Sequence, residues 1–342
     1  TLSQPYGSKD LWPCKNGITD KIDSVDIIVK TPYPYRTASN GVLISETTSN
    51  GFTIAYWKHK YPIAPYLIAI AVTNYVDYYD YVYLENDTIE ILNYVFPEDI
   101  IDIQTQSKAI IPVFKFFDSL LIPYPFAREK YGHSQFLWGG GMEHQTMTFI
   151  STFDHHLMTH ELAHSWFGNY ISCGSWKDIW LNEGFATYLT GLSYENMFNA
   201  YYWEPWKSMT LQHVTSQPDG SVFCYDTTDF SRVFDARLSY NKASLVLHSL
   251  RWIIGDSAFF EGIRNYLTDT TLAYSFAYSD DFIKKMEIAA DTSLNEFFKD
   301  WLYGEGYPIF DFNCEIITES IIKFSIIQST SHSSVNLFEM FL

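Results

Sequence analysis

The amino-acid sequence predicts an α+β protein, and three observations support this class. Short β-branched and aromatic runs separated by turn residues dominate roughly the first 95 residues. Apolar residues at helical spacing then recur between positions 109 and 305, and strand-like alternation returns after Gly306. Runs of strands followed by runs of helices are typical of α+β architectures rather than of alternating α/β ones.

The opening segment, residues 1–76, is predicted to be an incomplete all-β domain. Its strand-like runs are "DSVDIIVKTP", "GVLISETTSNGFTIAYW" and "YLIAIAVTNY", separated by Asn-Gly and Pro-Tyr-Pro. Within the second run, Ser49-Asn50-Gly51 has the composition of a tight hairpin turn. We therefore expect two antiparallel strands joined at Asn50-Gly51.

The middle segment, residues 77–305, is predicted to combine a small mixed sheet with helices. One helix begins at the cap Asp154, runs through "HHLMTHELAHSWF" and ends at Gly168-Asn169. The other predicted helices are "AIIPVFKFFDSLL", "SWKDIWLNEGFATYLTGLSYENMF", "YNKASLVLHSLRWII", "SAFFEGIRNYL", "SDDFIKKMEIAA" and "LNEFFKDWLYG". The strands are "TIEILNYVFP", "GHSQFLW" and "QTMTFIS", and residues 306–342 supply the first strands of a further β segment.

Composition excludes several classes of protein. The net charge of −18 argues against a nucleic-acid partner, because such proteins need a basic surface. No run of 18 apolar residues predicts a membrane span. The four cysteines are scattered without C-x-x-C spacing, which argues against a cysteine metal site and leaves one or two disulfides open.

The strongest local signal is "THELAHSWFGN", in which His160, Glu161 and His164 form H-E-x-x-H. Residues four apart lie on one face of a helix, so the two imidazoles can converge on one metal ion. The glutamate between them lies at the same rim and can accept a proton from a water that zinc activates. This spacing predicts one Zn²⁺ per chain, with Glu161 as general base.

A catalytic zinc ion requires a third protein ligand. Glu183, in "WLNEGFATY", follows His164 by nineteen residues and lies in the next predicted helix. If the two helices face each other, His160, His164 and Glu183 form a His₂Glu ligand set. We therefore predict these three residues as the metal ligands.

"HELAHSWFGN", an 18-residue gap and then "WLNEGFATY" resemble the aminopeptidase N and leukotriene hydrolase family of gluzincin zinc metallopeptidases. "GGGMEHQTMTF" is similar to the family's exopeptidase motif, usually Gly-x-Met-Glu-Asn, and "LSYNKASLVLHSL" to its segment with a catalytic tyrosine. "QPYGSKDLWPC" and "FFKDWLYGEGYP" resemble the family's N-terminal β domain and the end of its peptidase domain. The resemblance spans nearly the whole chain and implies a thermolysin-like catalytic domain over residues 77–305.

The resemblance also implies roles for individual residues. Tyr240 would hydrogen-bond the oxyanion of the tetrahedral intermediate, and Glu143 would hold the free α-ammonium group of the substrate. The remaining substrate-binding residues it implies are Gln4, Gly140, Gly141, Met142 and His144. The glycines would let the backbone approach the substrate closely.

Two positions depart from the family's pattern. His144 stands where the family usually has asparagine, and Tyr6 stands where many members have a second Gln or Glu near the amine. Glu143 is therefore expected to hold the amino group with less help. The chain also leaves no room for the family's long helical C-terminal domain, which indicates either a short form or a fragment.

The expected activity is a zinc-dependent aminopeptidase that releases neutral or aromatic residues from peptides with a free N-terminus. Two alternatives remain open from the sequence. If the departures at Tyr6 and His144 loosen the grip on the amine, the chain is a zinc endopeptidase with weak N-terminal selectivity. If the site is inactive, the chain is a peptide-binding relative.

The setting of the protein is predicted from composition. Acidity and a low arginine content, six of the 22 basic residues, are typical of extracellular proteins. We therefore expect a secreted protein, extracellular or periplasmic, with a cytoplasmic location as the alternative. The oligomeric state is left open by the sequence.

Overall fold

A computed structural model of the chain describes residues 4–340. Its helices and mixed sheets confirm the α+β class. The predicted boundaries at 76/77 and 305/306 stay predictions, and the outermost residues of the two flanking segments, 1–3 and 341–342, lie outside the described part.

The N-terminal segment forms one short helix and two small antiparallel sheets. The elements are α1 (Ser8–Leu11), β1 (Val25–Pro32), β2 (Arg36–Ser39), β3 (Val42–Ser49), β4 (Phe52–His59) and β5 (Ile70–Thr73). One sheet has the order β1-β4-β3, and the other pairs β2 with β5. The predicted hairpin is confirmed, because β3 and β4 pair from Ser49 and Phe52 outward. Asn50 and Gly51 have φ values of 53° and 77°, as a type I′ turn requires.

A third sheet is mixed and five-stranded, with the order β6-β7-β8-β10-β9. Its strands are β6 (Val76–Tyr83), β7 (Thr88–Val95), β8 (Tyr131–Gln135), β9 (Gly141–Met142) and β10 (Thr148–Ile150). Helices α2 (Ile100–Gln106) and α3 (Ile110–Leu120) connect β7 to β8. The two-residue strand β9 pairs antiparallel with β10 and forms the edge of this sheet as described. "GGGMEH" therefore lies at a sheet edge.

The rest of the chain is mainly helical and ends in a hairpin. Its helices are α4 (His155–Ala163), α5 (Trp180–Asn196), α6 (Trp203–Val214), α7 (Phe230–Val233), α8 (Ala243–Leu267), α9 (Ser279–Ala290) and α10 (Asn295–Phe298). The remaining strands are β11 (Ser172–Cys173), β12 (Phe276–Ala277), β13 (Pro308–Thr318) and β14 (Ile321–Thr330). β13 and β14 form the predicted C-terminal pair of strands.

Helix α5 is the centre of the helical region, because every residue from 180 to 193 is buried. It packs against α4 and α8. The rings of Phe167 and Phe185 stack with centroids 4.0 Å apart and an interplanar angle of 2°. A Cβ on Gly184 would lie 2.6 Å from the Cβ of Ala243, so only glycine permits this approach of α5 to α8. The close packing fixes three segments relative to one another.

Helix α4 ends earlier than the sequence predicted, at Ala163 rather than at Gly168-Asn169. The predicted cap is confirmed, since the Asp154 carboxylate accepts a hydrogen bond from the backbone N–H of Leu157. The N–H groups of Ser165 and Trp166 donate to carbonyls three residues earlier. From residue 169 to residue 171 the backbone bonds instead span five residues, and the N–H of Asn169 donates to the carbonyl of His164 at 3.0 Å. The chain thus tightens and then widens into a turn, although no proline or glycine interrupts it before Gly168.

Helix α8 contains both helices predicted between residues 240 and 267. Gly255, with φ of 81°, breaks it into two parts that match the two sequence patterns. The predicted helical start at Tyr240 is π-helical instead, over Ala236–Lys242. All four cysteines are free thiols, and among the described residues no helix is both long and apolar enough to cross a lipid bilayer.

We predict that Phe185→Ala lowers the free energy of unfolding by about 3–5 kcal/mol, because it removes a fully buried ring and leaves a cavity beside Phe167 and Phe282. Urea denaturation of the isolated chain measures this loss. The matched control is Phe312→Ala, whose ring is 70% exposed on β13 and whose loss should cost less than about 0.5 kcal/mol. Equal losses in both variants would contradict the central role given to α5.

Candidate active site

The residues of H-E-x-x-H lie at the C-terminal end of α4, facing the first turn of α5. His160 and Glu161 belong to the last turn of α4, and His164 is the residue that terminates it. Glu183 lies in the first turn of α5 and is buried. The packing of the two helices therefore brings the predicted ligands together from segments that are separate in sequence.

The three predicted ligand atoms form a nearly equilateral triangle. The Nε2 atoms of His160 and His164 are 3.2 Å apart. The Glu183 Oε2 atom lies 3.4 Å from the His160 nitrogen and 3.3 Å from the His164 nitrogen. Tetrahedral zinc with ligands at about 2.05 Å holds neighbouring ligand atoms about 3.3 Å apart. Donor types and spacing thus fit a zinc ion, with a fourth position left for water or substrate.

The hydrogen bond on the far side of His164 fixes its ring for metal binding. Its Nδ1 lies 3.0 Å from the carbonyl oxygen of Phe167. Because a carbonyl only accepts, Nδ1 must carry the proton, and the Nε2 lone pair then faces Glu183 and His160. The widened turn after α4 therefore orients a metal ligand. The sequence pattern alone did not indicate this partner.

Glu161 lies against the glycine-rich edge strand. One of its oxygens, Oε2, is buried without a hydrogen-bond partner in the structure. A Cβ on Gly141 would lie 2.3 Å from the other oxygen, so glycine is required for this carboxylate to reach the cavity. Burial raises the pKa of Glu161 well above its ordinary value. A cation between His160, His164 and Glu183 would oppose that rise by stabilising the ionised carboxylate.

Glu143 is buried in the loop that follows β9. Its Oε1 accepts a hydrogen bond from the Tyr66 hydroxyl at 3.0 Å. Tyr66 is fully buried and was not predicted as a site residue. In a chain with 26 tyrosines, the segment "APYLIAIAV" gives no signal that singles it out. The contact joins the N-terminal β segment directly to the site.

Tyr240 lies in the π-helical segment before α8 and borders the cavity. Its ring stacks on that of His160 with centroids 5.9 Å apart and 17° between the planes. Burial, with the nearby carboxylates of Glu183 and Glu143, raises the pKa of the phenol well above 10.0. The hydroxyl therefore stays protonated at neutral pH and remains a hydrogen-bond donor.

Of the other predicted substrate-binding residues, all but His144 line the cavity. Gly140, Gly141, Met142 and the exposed Gln4 line the same cavity, which has a volume of about 880 Å³. His144 instead lies buried with its ring edge-on to Phe149 at 5.0 Å, and it is not among the cavity-lining residues described. The cavity lining therefore gives no support to a direct substrate contact by His144.

Tyr6 departs from the family's pattern in structure as well as in sequence. Its hydroxyl donates to the carbonyl oxygen of Thr227 at 2.8 Å, and its ring stacks on Trp176. It is not among the described residues that line the cavity. The hydroxyl of Tyr66, rather than a group at position 6, is the recorded side-chain partner of Glu143.

Three acidic side chains lie at the centre of the cavity. The carboxylates of Glu143, Glu161 and Glu183 are all buried there. No lysine or arginine is found among the described residues that line the cavity. Buried carboxylates without cations are costly, so this arrangement favours positively charged ligands.

Comparison with known proteins agrees with this geometry. The sequence model of the Peptidase family M1 domain matches residues 109–301 of this chain. The chain is 30% identical over 166 residues to Probable aminopeptidase 2 of Sulfurisphaera tokodaii, covering 45% of this chain and 20% of that protein. It is 29% identical over 160 residues to Aminopeptidase N of Lactobacillus delbrueckii subsp. lactis, covering 45% and 19%. The match thus spans about a fifth of each curated relative.

Solved structures share the fold. An M1 zinc metallopeptidase from Deinococcus radiodurans superposes with a TM-score of 0.75 at 22% identity, covering 89% of this chain and 69% of that one. A mutant of that enzyme bound to a Tyr-Ser-Ala substrate gives a TM-score of 0.75 at 21% identity, covering 90% and 70%. The likeness includes most of the N-terminal β segment as well as the helical region.

The fold, the His₂Glu triangle and the matched domain together define a metallopeptidase-type site. The chain belongs to peptidase family M1. Family membership and the three ligand atoms indicate zinc as its cofactor.

We predict that Gly141→Ala lowers peptidase kcat/KM by about 100-fold or more, because the methyl group displaces the Glu161 carboxylate and misplaced catalytic groups cost about that much. Zinc content should stay at one per chain, since the ligands are untouched. The matched control is Gly139→Ala, where an added Cβ meets nothing within 4 Å and activity should be retained. Equal loss in both variants would show that the loop, and not the Glu161 contact, limits activity.

Proposed function

We propose that this chain is a zinc-dependent aminopeptidase that hydrolyses the first peptide bond of peptides with a free N-terminus. The observation that supports the proposal most directly is the position of Glu143. Its carboxylate lies within 4.8 Å of ligand atoms of both Glu161 and His164, so an amine held there sits beside the predicted reaction centre. Only the α-carbon separates the amine of a peptide from its first carbonyl carbon, so this short spacing suits cleavage of the first peptide bond.

Charge balance supports the same proposal. When all three are ionised, the carboxylates of Glu143, Glu161 and Glu183 place three negative charges in a buried cavity. A divalent zinc ion and one ammonium group carry three positive charges. A peptide with a blocked N-terminus leaves the Glu143 carboxylate buried and unpaired, and such a group is costly. Exopeptidase selectivity follows from this cost.

The chemistry divides among the residues of this chain. A bound zinc ion would acidify a water molecule and polarise the carbonyl of the scissile bond. Glu161 accepts the proton of the attacking water and later delivers it to the leaving amine. The Tyr240 hydroxyl donates a hydrogen bond to the oxygen that gains negative charge. Glu143 fixes the register of the substrate through its ammonium group.

Aromatic side chains lie near Glu143, which favours neutral or aromatic first residues. Phe234 lines the cavity and contacts Trp176 with ring centroids 5.8 Å apart. Trp176 in turn contacts Tyr66, the partner of Glu143. An apolar side chain next to the held amine would thus be buried against aromatic rings.

We predict that an aminoacyl-anilide with a free amine is hydrolysed with a kcat/KM about 10- to 100-fold higher than its N-acetylated form, since a charge-assisted hydrogen bond is worth about 1.5–3 kcal/mol. Glu143→Gln should remove most of this preference, whereas Glu161→Gln should lower turnover of both substrates together. A chelator should abolish both activities, and added zinc should restore them.

Each alternative function predicts a different result in that experiment. Equal turnover of free and acetylated substrates by the unaltered chain would favour an endopeptidase with weak N-terminal selectivity. Absence of turnover in a sample with one zinc per chain would favour a peptide-binding relative. Either result would overturn the proposed function.

We further propose that the protein works outside the cytoplasm, in the medium or the periplasm. The net charge of −18 and the content of six arginines support this setting. Fractionation of the native cells followed by mass spectrometry of this chain would test the proposal. Recovery with the cytoplasmic proteins alone would contradict it.

A further inference from the structure

The loop that carries Glu143 depends on distant parts of the chain for its shape. Residues 143–147 connect β9 to β10, and within the loop the N–H of Met147 donates to the carbonyl of His144 at 3.0 Å. Three other backbone carbonyls of the loop accept hydrogen bonds from buried side chains elsewhere. We call residues 143–147 the Glu143 loop.

Two of these donors are asparagine side chains. Asn169, just after the turn that ends α4, donates to the carbonyl of Glu143 at 2.9 Å. Asn40, at the end of β2, donates to the carbonyl of Gln145 at 2.6 Å. The loop is thus held both by the metal-binding region and by the N-terminal β segment.

The third donor is Lys130, whose Nζ lies 2.7 Å from the carbonyl oxygen of Thr146. A second, longer contact of 3.4 Å joins Nζ to the carbonyl of Ser39, and the ring of Trp57 lies 5.4 Å away. Lys130 is 2% exposed, and no carboxylate among the described residues forms an ion pair with it. Its recorded hydrogen-bond partners are therefore two backbone carbonyls.

Thr146 adopts a backbone conformation that its side chain disfavours. Its φ is 65°, in the left-handed region, and a β-branched residue there is strained. Its Oγ1 accepts a hydrogen bond from the backbone N–H of Gly41 at 2.8 Å. Strain of this kind persists only when the surroundings enforce it, and Lys130 and Gly41 are the groups that do so.

A lysine is a costly choice for this position. Burial lowers the pKa of Lys130 to about 7, which reflects the penalty for removing its charge from water. Methionine has a similar unbranched stem and would fill the space without that penalty. The reason to bury an amine here is therefore its N–H groups, which reach the carbonyl of Thr146.

We propose that Lys130 is a positioning residue for substrate selection, which holds the strained turn at Thr146 so that the Glu143 carboxylate meets the substrate's amine. The inference rests on the proposed aminopeptidase function. It assigns the selectivity for a free N-terminus not to Glu143 alone but to the buried Lys130–Thr146 contact behind it. Glu143 lies three residues from Thr146, within a loop that has few internal backbone bonds of its own.

The test compares kcat/KM for a free aminoacyl-anilide with kcat/KM for its N-acetylated form, in the zinc-loaded full chain. Lys130→Met should lower the ratio of the two values by about tenfold, mainly through a higher KM for the free substrate, because a shift of about 1 Å in a positioning group can cost as much as 100-fold. Zinc content should remain one per chain. Thr146→Gly, which removes both the strain and the anchor to Gly41, should lower the same ratio.

The control for a general loss of stability is Val82→Ala. Val82 is fully buried in β6, which forms the edge of the five-stranded sheet opposite to β9 and is therefore remote from the Glu143 loop. This variant should lower the melting temperature but keep the ratio of the unaltered chain. Thr146→Gly preserves the test if Lys130→Met does not fold, because it leaves the buried amine in place.

The outcomes separate this inference from the function on which it rests. An unaltered chain that hydrolyses both substrates equally would overturn the proposed aminopeptidase function. An unaltered chain that discriminates, with Lys130→Met or Thr146→Gly keeping its ratio within about twofold, would overturn the positioning role alone. A fall of the ratio in Val82→Ala equal to that in Lys130→Met would also overturn it.

Discussion

The site depends on the packing of two helices at the point where one ends and the other begins. The widened turn after α4 allows the Phe167 ring to stack on that of Phe185, with centroids 4.0 Å apart. It also brings the backbone carbonyl of Phe167 within hydrogen-bond distance of the His164 Nδ1 atom. The same contact brings Glu183 within 3.4 Å of both imidazole nitrogens. Because α5 is buried along fourteen consecutive residues, from 180 to 193, it cannot shift without disturbing the core. The ligand geometry is thus inherited from the packing of apolar surfaces.

This arrangement places three acidic side chains in one buried cavity, which is electrostatically unfavourable. Glu143, Glu161 and Glu183 share one cavity, and under the proposed function a metal ion and a substrate amine would balance their charge. Folding pays for buried carboxylates that become useful only when those ligands bind. In the proposed aminopeptidase, the acidic groups would be in place before the substrate binds, which is electrostatic preorganisation.

The N-terminal β segment belongs to the site in a physical sense. Tyr66 donates to the Glu143 carboxylate, and Asn40 donates to the backbone of the same loop. Because the Glu143 loop has few internal backbone bonds, its conformation is determined by these distant groups together with Lys130 and Asn169. The proposed recognition of a substrate amine would therefore depend on the folding of the β segment.

The metal-ligand set and most of the secondary-structure elements were predictable from local patterns of residues. The four-residue spacing of His160 and His164, with Glu183 on the next helix, predicted the ligand set, since helical periodicity is a local property. Turn residues predicted the Asn50-Gly51 hairpin, and periodicity predicted the helix Ser279–Ala290. The early end of α4 and the π-helical start at Tyr240 depend on tertiary contacts. So do the hydrogen bonds from Tyr66 and Lys130 to the Glu143 loop. These features arise from contacts between residues far apart in the chain, and no local pattern of residues specifies which distant side chain will supply a hydrogen bond.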